Sequence, residues 1–293
     1  MISFTLMFET LRPKQWYKNI VVLAGIVFSF NLFNYSIYGD VFFAFMVFCL
    51  LSGSVYTIND IVDRKKDKIH PLKSKRPIAS GRLKLYDAKV FSIITVIISL
   101  AFSFYMNVQF GLAALSYFIL NIFYSFFLKN YAIIDVLLIS IFFVIRAVAG
   151  CVVINVSISP WLILCSFFLA LFLALGKRRN EVQSLGSNAK NHRPVLTQYS
   201  LKMIDKMVTV NIIVLIVSYT MYTFLSIDKN MIMTVPFIVF GLLRYIHLSH
   251  KETSPSEIEA LLLDKPSVIN MFIWSFLVFW ILYNPTELIK LFV

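Results

Sequence analysis

The sequence predicts an all-α polytopic membrane protein: a single domain over 1–293, built as a bundle of nine transmembrane helices around a polar cavity open to the cytoplasm. Three observations predict it. Of 293 residues, 59% are hydrophobic and only 14% charged, with a mean hydropathy of +0.80, outside the range of water-soluble domains. The apolar residues gather in runs long enough to cross a bilayer. The charged residues gather between those runs, and mostly on one side.

The runs fall at 20–38, 40–58, 88–107, 109–128, 131–154, 160–176, 203–226, 231–249 and 267–283. The first follows a basic segment (Arg12, Lys14, Lys18) and continues into a helical hairpin without a small-residue cleavage site, so no cleaved signal peptide is expected. Cys49, Cys151 and Cys165 lie in apolar runs at unrelated spacings, which suits buried small residues and neither disulfides nor zinc. With a cytoplasmic N-terminus, only Lys229 and Lys290 of the 27 Lys and Arg fall in outer loops or the tail. The positive-inside rule therefore places the N-terminus in the cytoplasm and the C-terminus across the cell membrane. The formal charge of +12 sits in short loops between spans. That arrangement attracts anionic lipid head groups and makes nucleic acid an unexpected partner.

The first basic segment, with Trp16 among its cations, reads as an interfacial anchor. The second run ends in Asn59, Asp60, Asp63 and Asp67. At ~100° per residue these span an arc of about 100° on one helix face. Carboxylates so close repel unless a cation sits between them, and Mg²⁺, which takes oxygen ligands and bridges to phosphates, suits the pattern. Pro71 and Pro77 then break the helix, with His70 as a lesser phosphate donor. Lys73, Lys75, Arg76, Arg82 and Lys84 supply cations for phosphate. Tyr124 and Lys129 close the fourth run. In the fifth, Asp135 lies about one turn in and Arg146 roughly 16 Å deeper, at ~1.5 Å per residue. An ionised group there costs at least ~2.5–3.5 kcal/mol unless it faces a cavity or partner, so Arg146 is expected to meet an anionic group. Gly176-Lys177-Arg178-Arg179-Asn180-Glu181 again sets acid and base where a run ends, and Lys177 and Glu181 share a face at i, i+4. His192-Arg193-Pro194 follows as His70-Pro71 does earlier, a weak internal repeat. Tyr199, Asp205 and Arg244 come next, and Glu257 and Glu259 read as solvated loop residues. No Gly-rich nucleotide loop, nucleophile elbow or His/Cys cluster occurs.

Asn59-Asp60-x-x-Asp63-x-x-x-Asp67, followed by His70-Pro71 and Lys75-Arg76-Pro77-Ile78-Ala79-Ser80-Gly81, resembles the first Asp-rich motif of the UbiA superfamily of intramembrane prenyltransferases. Leu11-Arg12-Pro13-Lys14-Gln15-Trp16-Tyr17-Lys18-Asn19 and Lys177-Arg178-Arg179-Asn180-Glu181 are similar to its decaprenyl-phosphate phosphoribosyltransferase branch. The resemblance implies a transferase that moves 5-phosphoribose from phosphoribosyl diphosphate to a polyprenyl phosphate. Asn59, Asp60, Asp63 and Asp67, with Glu181, would hold Mg²⁺. Lys14, Lys18, Tyr124, Lys129, Asp135, Arg146, Lys177 and Arg178 would bind substrate.

The superfamily's prenyl-diphosphate users carry a second Asp-x-x-x-Asp motif where this chain has one carboxylate, Glu181, among three cations. That departure points toward a more heavily phosphorylated donor. The rival within the fold is a prenyltransferase with an aromatic acceptor such as 4-hydroxybenzoate. A carrier of phosphorylated lipids or metabolites would also want an intramembrane Arg, but has less use for three clustered acids. A homo-oligomer is compatible with all three readings.

Overall fold

The computed structural model describes residues 4–69, 73–185, 194–226, 228–249, 261 and 263–283. The chain divides into two compact units, Met1–Ile158 and Ser159–Val293. Among the described residues the regular elements are all helical. Eight helices are long and apolar enough to cross a membrane, and they coincide with the second to ninth expected spans.

The first unit comprises α1 (Phe4–Thr10), a 3₁₀ segment (Pro13–Leu23), α2 (Ala24–Phe28), α3 (Tyr38–Val62), α4 (Arg64–Ile69), α5 (Leu85–Met106), α6 (Val108–Phe126) and α7 (Ile134–Val153). α3 is central, with Ala44, Phe48, Cys49, Leu51 and Ser54 wholly buried. Its hydroxyls return to its own carbonyls, Ser54 Oγ to Leu50 O at 2.8 Å and Thr57 Oγ1 to Gly53 O at 3.1 Å, so no polar group is stranded away from water. On α5, Ser92, Ser99 and Ser103 are buried; small residues let helix backbones approach closely, and the Ser54 and Thr95 hydroxyls lie in hydrogen-bond contact at 2.7 Å. Ile93, Ile94, Ile97, Ile98 and Tyr105 are exposed on the same helix, an apolar surface suited to lipid. Phe48, Phe110, Tyr117 and Phe142 join α3, α6 and α7 through edge-on ring contacts of 5.4–5.9 Å.

The stretch expected as a first span over 20–38 differs from expectation. The chain instead winds as a 3₁₀ helix over Pro13–Leu23 and as α-helix only over Ala24–Phe28. At about 2.0 Å per residue for the first part and 1.5 Å for the second, residues 13–28 reach about 30 Å, enough to cross the hydrocarbon core. Leu11 against Gly53 and Asn19 against Ser52 and Cys49 run the segment antiparallel to α3. Asn19 against Arg146 and Val22 against Gly150 run it parallel to α7. A Cβ on Gly150 would lie 1.9 Å from the Val22 carbonyl oxygen, and one on Gly25 would lie 2.8 Å from the Gly150 backbone. The two backbones touch there, as only glycine allows.

The second unit holds α8 (Pro160–Leu185), α9 (Leu201–Leu225), α10 (Val235–Ser249) and α11 (Lys265–Tyr283). Carboxamides tie its helices to one another: Asn211 Nδ2 donates to Phe168 O and Asn270 Nδ2 to Phe237 O, both at 2.9 Å. Trp274 Nε1 donates to the Tyr219 hydroxyl at 3.0 Å, which in turn shares a hydrogen with Thr234 at 2.7 Å. Arg244 holds Asp264 through two bonds of 2.8 and 3.1 Å. Ser267 adds its N–H and hydroxyl to the same carboxylate, starting α11.

Candidate active site

α3 stops at Val62, Asp63 turns with φ −87° and ψ 6°, and Asp67 sits on the separate helix α4. The Asp67 N–H still donates to Asp63 O at 2.8 Å, so the acids stay together. They do not share one partner, as the single helix face predicted. Asp60 and Asp67 are buried at 3% and 4% exposure. Arg76 Nη1 donates to both, at 3.0 Å to Asp60 Oδ1 and 2.6 Å to Asp67 Oδ2, while Arg12 Nη2 also pairs with Asp60 Oδ1. Asp63 turns the other way, where Lys129 Nζ meets its two oxygens. The half-buried Asn59 side chain makes no hydrogen bond among the described residues.

The repulsion among these acids is thus relieved by Arg12, Arg76 and Lys129. Among the described residues no three His, Cys, Asp or Glu side chains converge as a metal cage. A Mg²⁺ ion does not need one, because it commonly binds one or two carboxylates and takes its other ligands from water and substrate phosphates. Asp60 and Asp67 already share one cationic nitrogen, and hard oxygens are the donors Mg²⁺ takes. The pair therefore fits the metal if Arg76 moves aside.

Sequence reasoning gave Arg12 no role at the site. Its signal was weak, since the partner lies 48 residues away. The backbone of Arg12 is left-handed, at φ 51° and ψ 63°, just before Pro13. That conformation costs on the order of 1–3 kcal/mol in a non-glycine residue. The Asp60 pair and a 5.0 Å approach to the Tyr56 ring help offset it.

Lys14 and Lys18 separate in the structure. Four residues apart on an α-helix they would share a face, but at three residues per turn they diverge by about 120°. Lys14, Tyr17 and Ile20 form an exposed ridge, whereas Asn19, Val22 and Gly25 form a buried one. Lys18, on the third ridge, is half-buried.

Tyr124 packs edge-on against Phe142 with ring centroids 5.7 Å apart. Asp135 is wholly buried in the first turn of α7, where the helix dipole favours a negative side chain. Arg146, 4% exposed, bonds Asn19 and the Tyr117 hydroxyl, two groups that spacing gave no reason to single out.

In the second unit, Glu181 accepts from Arg178 Nη1 at 2.5 Å, an i, i+3 pair where the sequence pointed to Lys177. Arg178 is 1% exposed and Lys177 lies at the surface. Arg179 donates to Asp205 Oδ1 at 2.7 Å and to Gln183 at 2.9 Å. A second carboxylate thus stands beside the motif, supplied by the next helix. Tyr199 is buried. His70, Pro71, Lys190, His192, Arg193, Glu252, Glu257 and Glu259 lie outside the described residues.

The UbiA prenyltransferase family model matches residues 19–279. A decaprenyl-phosphate phosphoribosyltransferase of Mycolicibacterium smegmatis is 32% identical over 231 residues, 78% of this chain and 73% of that protein. One of Corynebacterium glutamicum is 31% identical over 288 residues, 94% and 86% of the two chains. Among solved structures, a UbiA homolog from Archaeoglobus fulgidus bound to DMAPP and Mg²⁺ aligns with a TM-score of 0.73 over 95% of this chain and 99% of that one. At 18% identity, that likeness is one of fold.

Proposed function

Because the chain belongs to the UbiA prenyltransferase family, we propose that it transfers 5-phosphoribose from phosphoribosyl diphosphate to a polyprenyl phosphate of the decaprenyl type, releasing pyrophosphate. Similarity to a phosphoribosyltransferase over 94% of the chain supports this most. The cations around each acidic group agree with it, since the donor brings a 5-phosphate as well as its diphosphate.

Asp60 and Asp67 would hold Mg²⁺, with Asp63 and Asn59 as neighbouring oxygen donors. When bound, the ion neutralises charge developing on the leaving diphosphate. Arg76, Arg12 and Lys129 are placed to pass from carboxylate to phosphate when substrate arrives. Lys177 and Arg178 are the proposed phosphate contacts of the second unit, and Glu181 orients Arg178. The acceptor phosphate is already an anionic nucleophile, so no strong base is required. Its oxygen bonds to the anomeric carbon as the bond to the diphosphate oxygen breaks, and alignment of the two is most of the catalysis.

The protein is a multi-pass membrane protein. The proposed orientation puts the N-terminus and the Asp60 cluster in the cytoplasm and the C-terminus across the cell membrane, counting residues 13–28 as the first crossing. A homo-oligomer is compatible with this reading.

A second reading, prenyl transfer to an aromatic acceptor, is favoured by the fold shared with a protein bound to DMAPP and Mg²⁺. Incubating the purified protein with labelled phosphoribosyl diphosphate and a polyprenyl phosphate, with Mg²⁺ or with chelator, tests the first. Metal-dependent formation of lipid-linked phosphoribose is expected. Transfer only from a prenyl diphosphate would replace it with the second.

A further inference from the structure

α1 lies at the end of the bundle that carries the acid cluster, and its flanks meet three different surroundings. Met7 and Thr10 are buried. Met7 packs with Ile78, Leu83 and Ala88, and Ile61 and Phe91 join the cluster, so α1 lies across the ends of α3 and α5. On a second flank Glu9 accepts from Arg82 at 3.1 Å, and Arg82 also donates to the Lys75 carbonyl at 2.7 Å. On the third, Phe4 and Phe8, one turn apart, are 82% and 52% exposed. The Phe8 ring meets Trp16 edge-on at 5.7 Å. Left-handed Arg12 followed by Pro13 makes a corner, so α1 does not continue along the axis of the first crossing.

Two phenyl rings held in water on so short a helix are costly, whereas at a bilayer boundary they are not. A helix with an apolar flank beside a polar one lies in the membrane surface. Thr5 and Glu9, ~100° round the axis from Phe4 and Phe8, supply the polar flank. Trp16 stands at the start of the first crossing, where aromatic side chains anchor at the head-group level. Tyr17 and Ile20, exposed on that crossing, continue the lipid-facing surface.

We propose that α1 is an in-plane membrane helix: Phe4 and Phe8 enter the boundary between head groups and acyl chains, while Met7 and Glu9 hold the 75–83 loop beside the acid cluster. That loop carries Arg76, the partner of Asp60 and Asp67. The lipid surface thus braces, through one short helix, the segment that positions Arg76. Lipid is the occupant, rather than a second copy of the chain, because the Phe flank runs on through Trp16 into a crossing.

The experiment uses full-length protein in nanodiscs, with bimane on Phe4→Cys, Phe8→Cys or Thr5→Cys and wild type labelled in parallel to correct for the native cysteines. One set of discs holds phosphatidylglycerol brominated near the head-group end of its acyl chains; the other is unbrominated, with iodide in the water. Brominated lipid should quench bimane at positions 4 and 8 roughly threefold more than at position 5, and iodide should reverse the order. Iodide reaching positions 4 and 8 as readily as 5 would put the rings in water, and shielding from both quenchers would put a second copy over them; either result overturns the lipid contact. Phe4→Ser combined with Phe8→Ser tests the brace. The hydrogen-bonded amides of Arg76, Ser80 and Leu83 should exchange roughly tenfold faster, with unchanged exchange in α8 showing that the fold persists. Unchanged exchange at those three amides would overturn the brace.

Discussion

Lys129 Nζ lies 2.7 and 2.9 Å from the two carboxylate oxygens of Asp63, joining residues 66 apart in the chain. The Asp63 side chain is 31% exposed, and a part-exposed pair of this kind contributes about 1 kcal/mol or less to stability. Asp63→Asn should therefore melt close to wild type in detergent while losing turnover, because a charged oxygen donor beside the proposed metal site is gone. Near-normal turnover of this variant at saturating Mg²⁺ would return the stretch to an ordinary solvated helix end.

Arg76 should behave differently. It is the hydrogen-bonding partner of the buried Asp67 and one of two partners of the buried Asp60. Removing it leaves Asp67 as a buried charge without compensation, and with Arg76 itself part-exposed the expected loss for Arg76→Ala is about 2–4 kcal/mol. Asp67→Asn combined with Arg76→Ala should recover much of it, since the buried charge goes with its partner. A denaturant titration of the double-mutant cycle checks the coupling, and an Arg76→Ala protein as stable as wild type contradicts the geometry.

Donor identity can be read from the second unit. Lys177→Ala should weaken phosphoribosyl diphosphate by roughly 1.5–3 kcal/mol and polyprenyl phosphate far less. If Glu181 instead belongs to a prenyl-diphosphate site, Glu181→Gln would selectively lose prenyl diphosphate. Competition binding of both diphosphates decides, and a wild-type preference for prenyl diphosphate favours the second reading.

Eight crossings and the Asp-rich helix end were legible because both are local. Hydropathy marks the spans, and Asn59 to Asp67 declare their chemistry within one short stretch. What neutralises the acids was not legible, because Arg12, Arg76 and Lys129 come from three separate segments. Asp205 reached Arg179 in the same way, from the next helix. Nor could the sequence reveal the winding of residues 13–23. Their apolar content suits an α-helix equally well, and the close approach fixed by Gly25 and Gly150 involves residues 125 apart. The separation of Lys14 from Lys18 follows from that winding alone.

The three ridges of the first crossing also govern how it can tolerate change. Along an α-helix, the positions that accept a bulky or charged replacement recur every three to four residues and drift around the axis. Along Pro13–Leu23 they recur every third residue without drift. Lys14, Tyr17 and Ile20 form the permissive line, and Trp16, Asn19 and Val22 the intolerant one. Adding or deleting one residue before Asn19 would rotate everything upstream by a full third of a turn, so here length is under tighter constraint than identity.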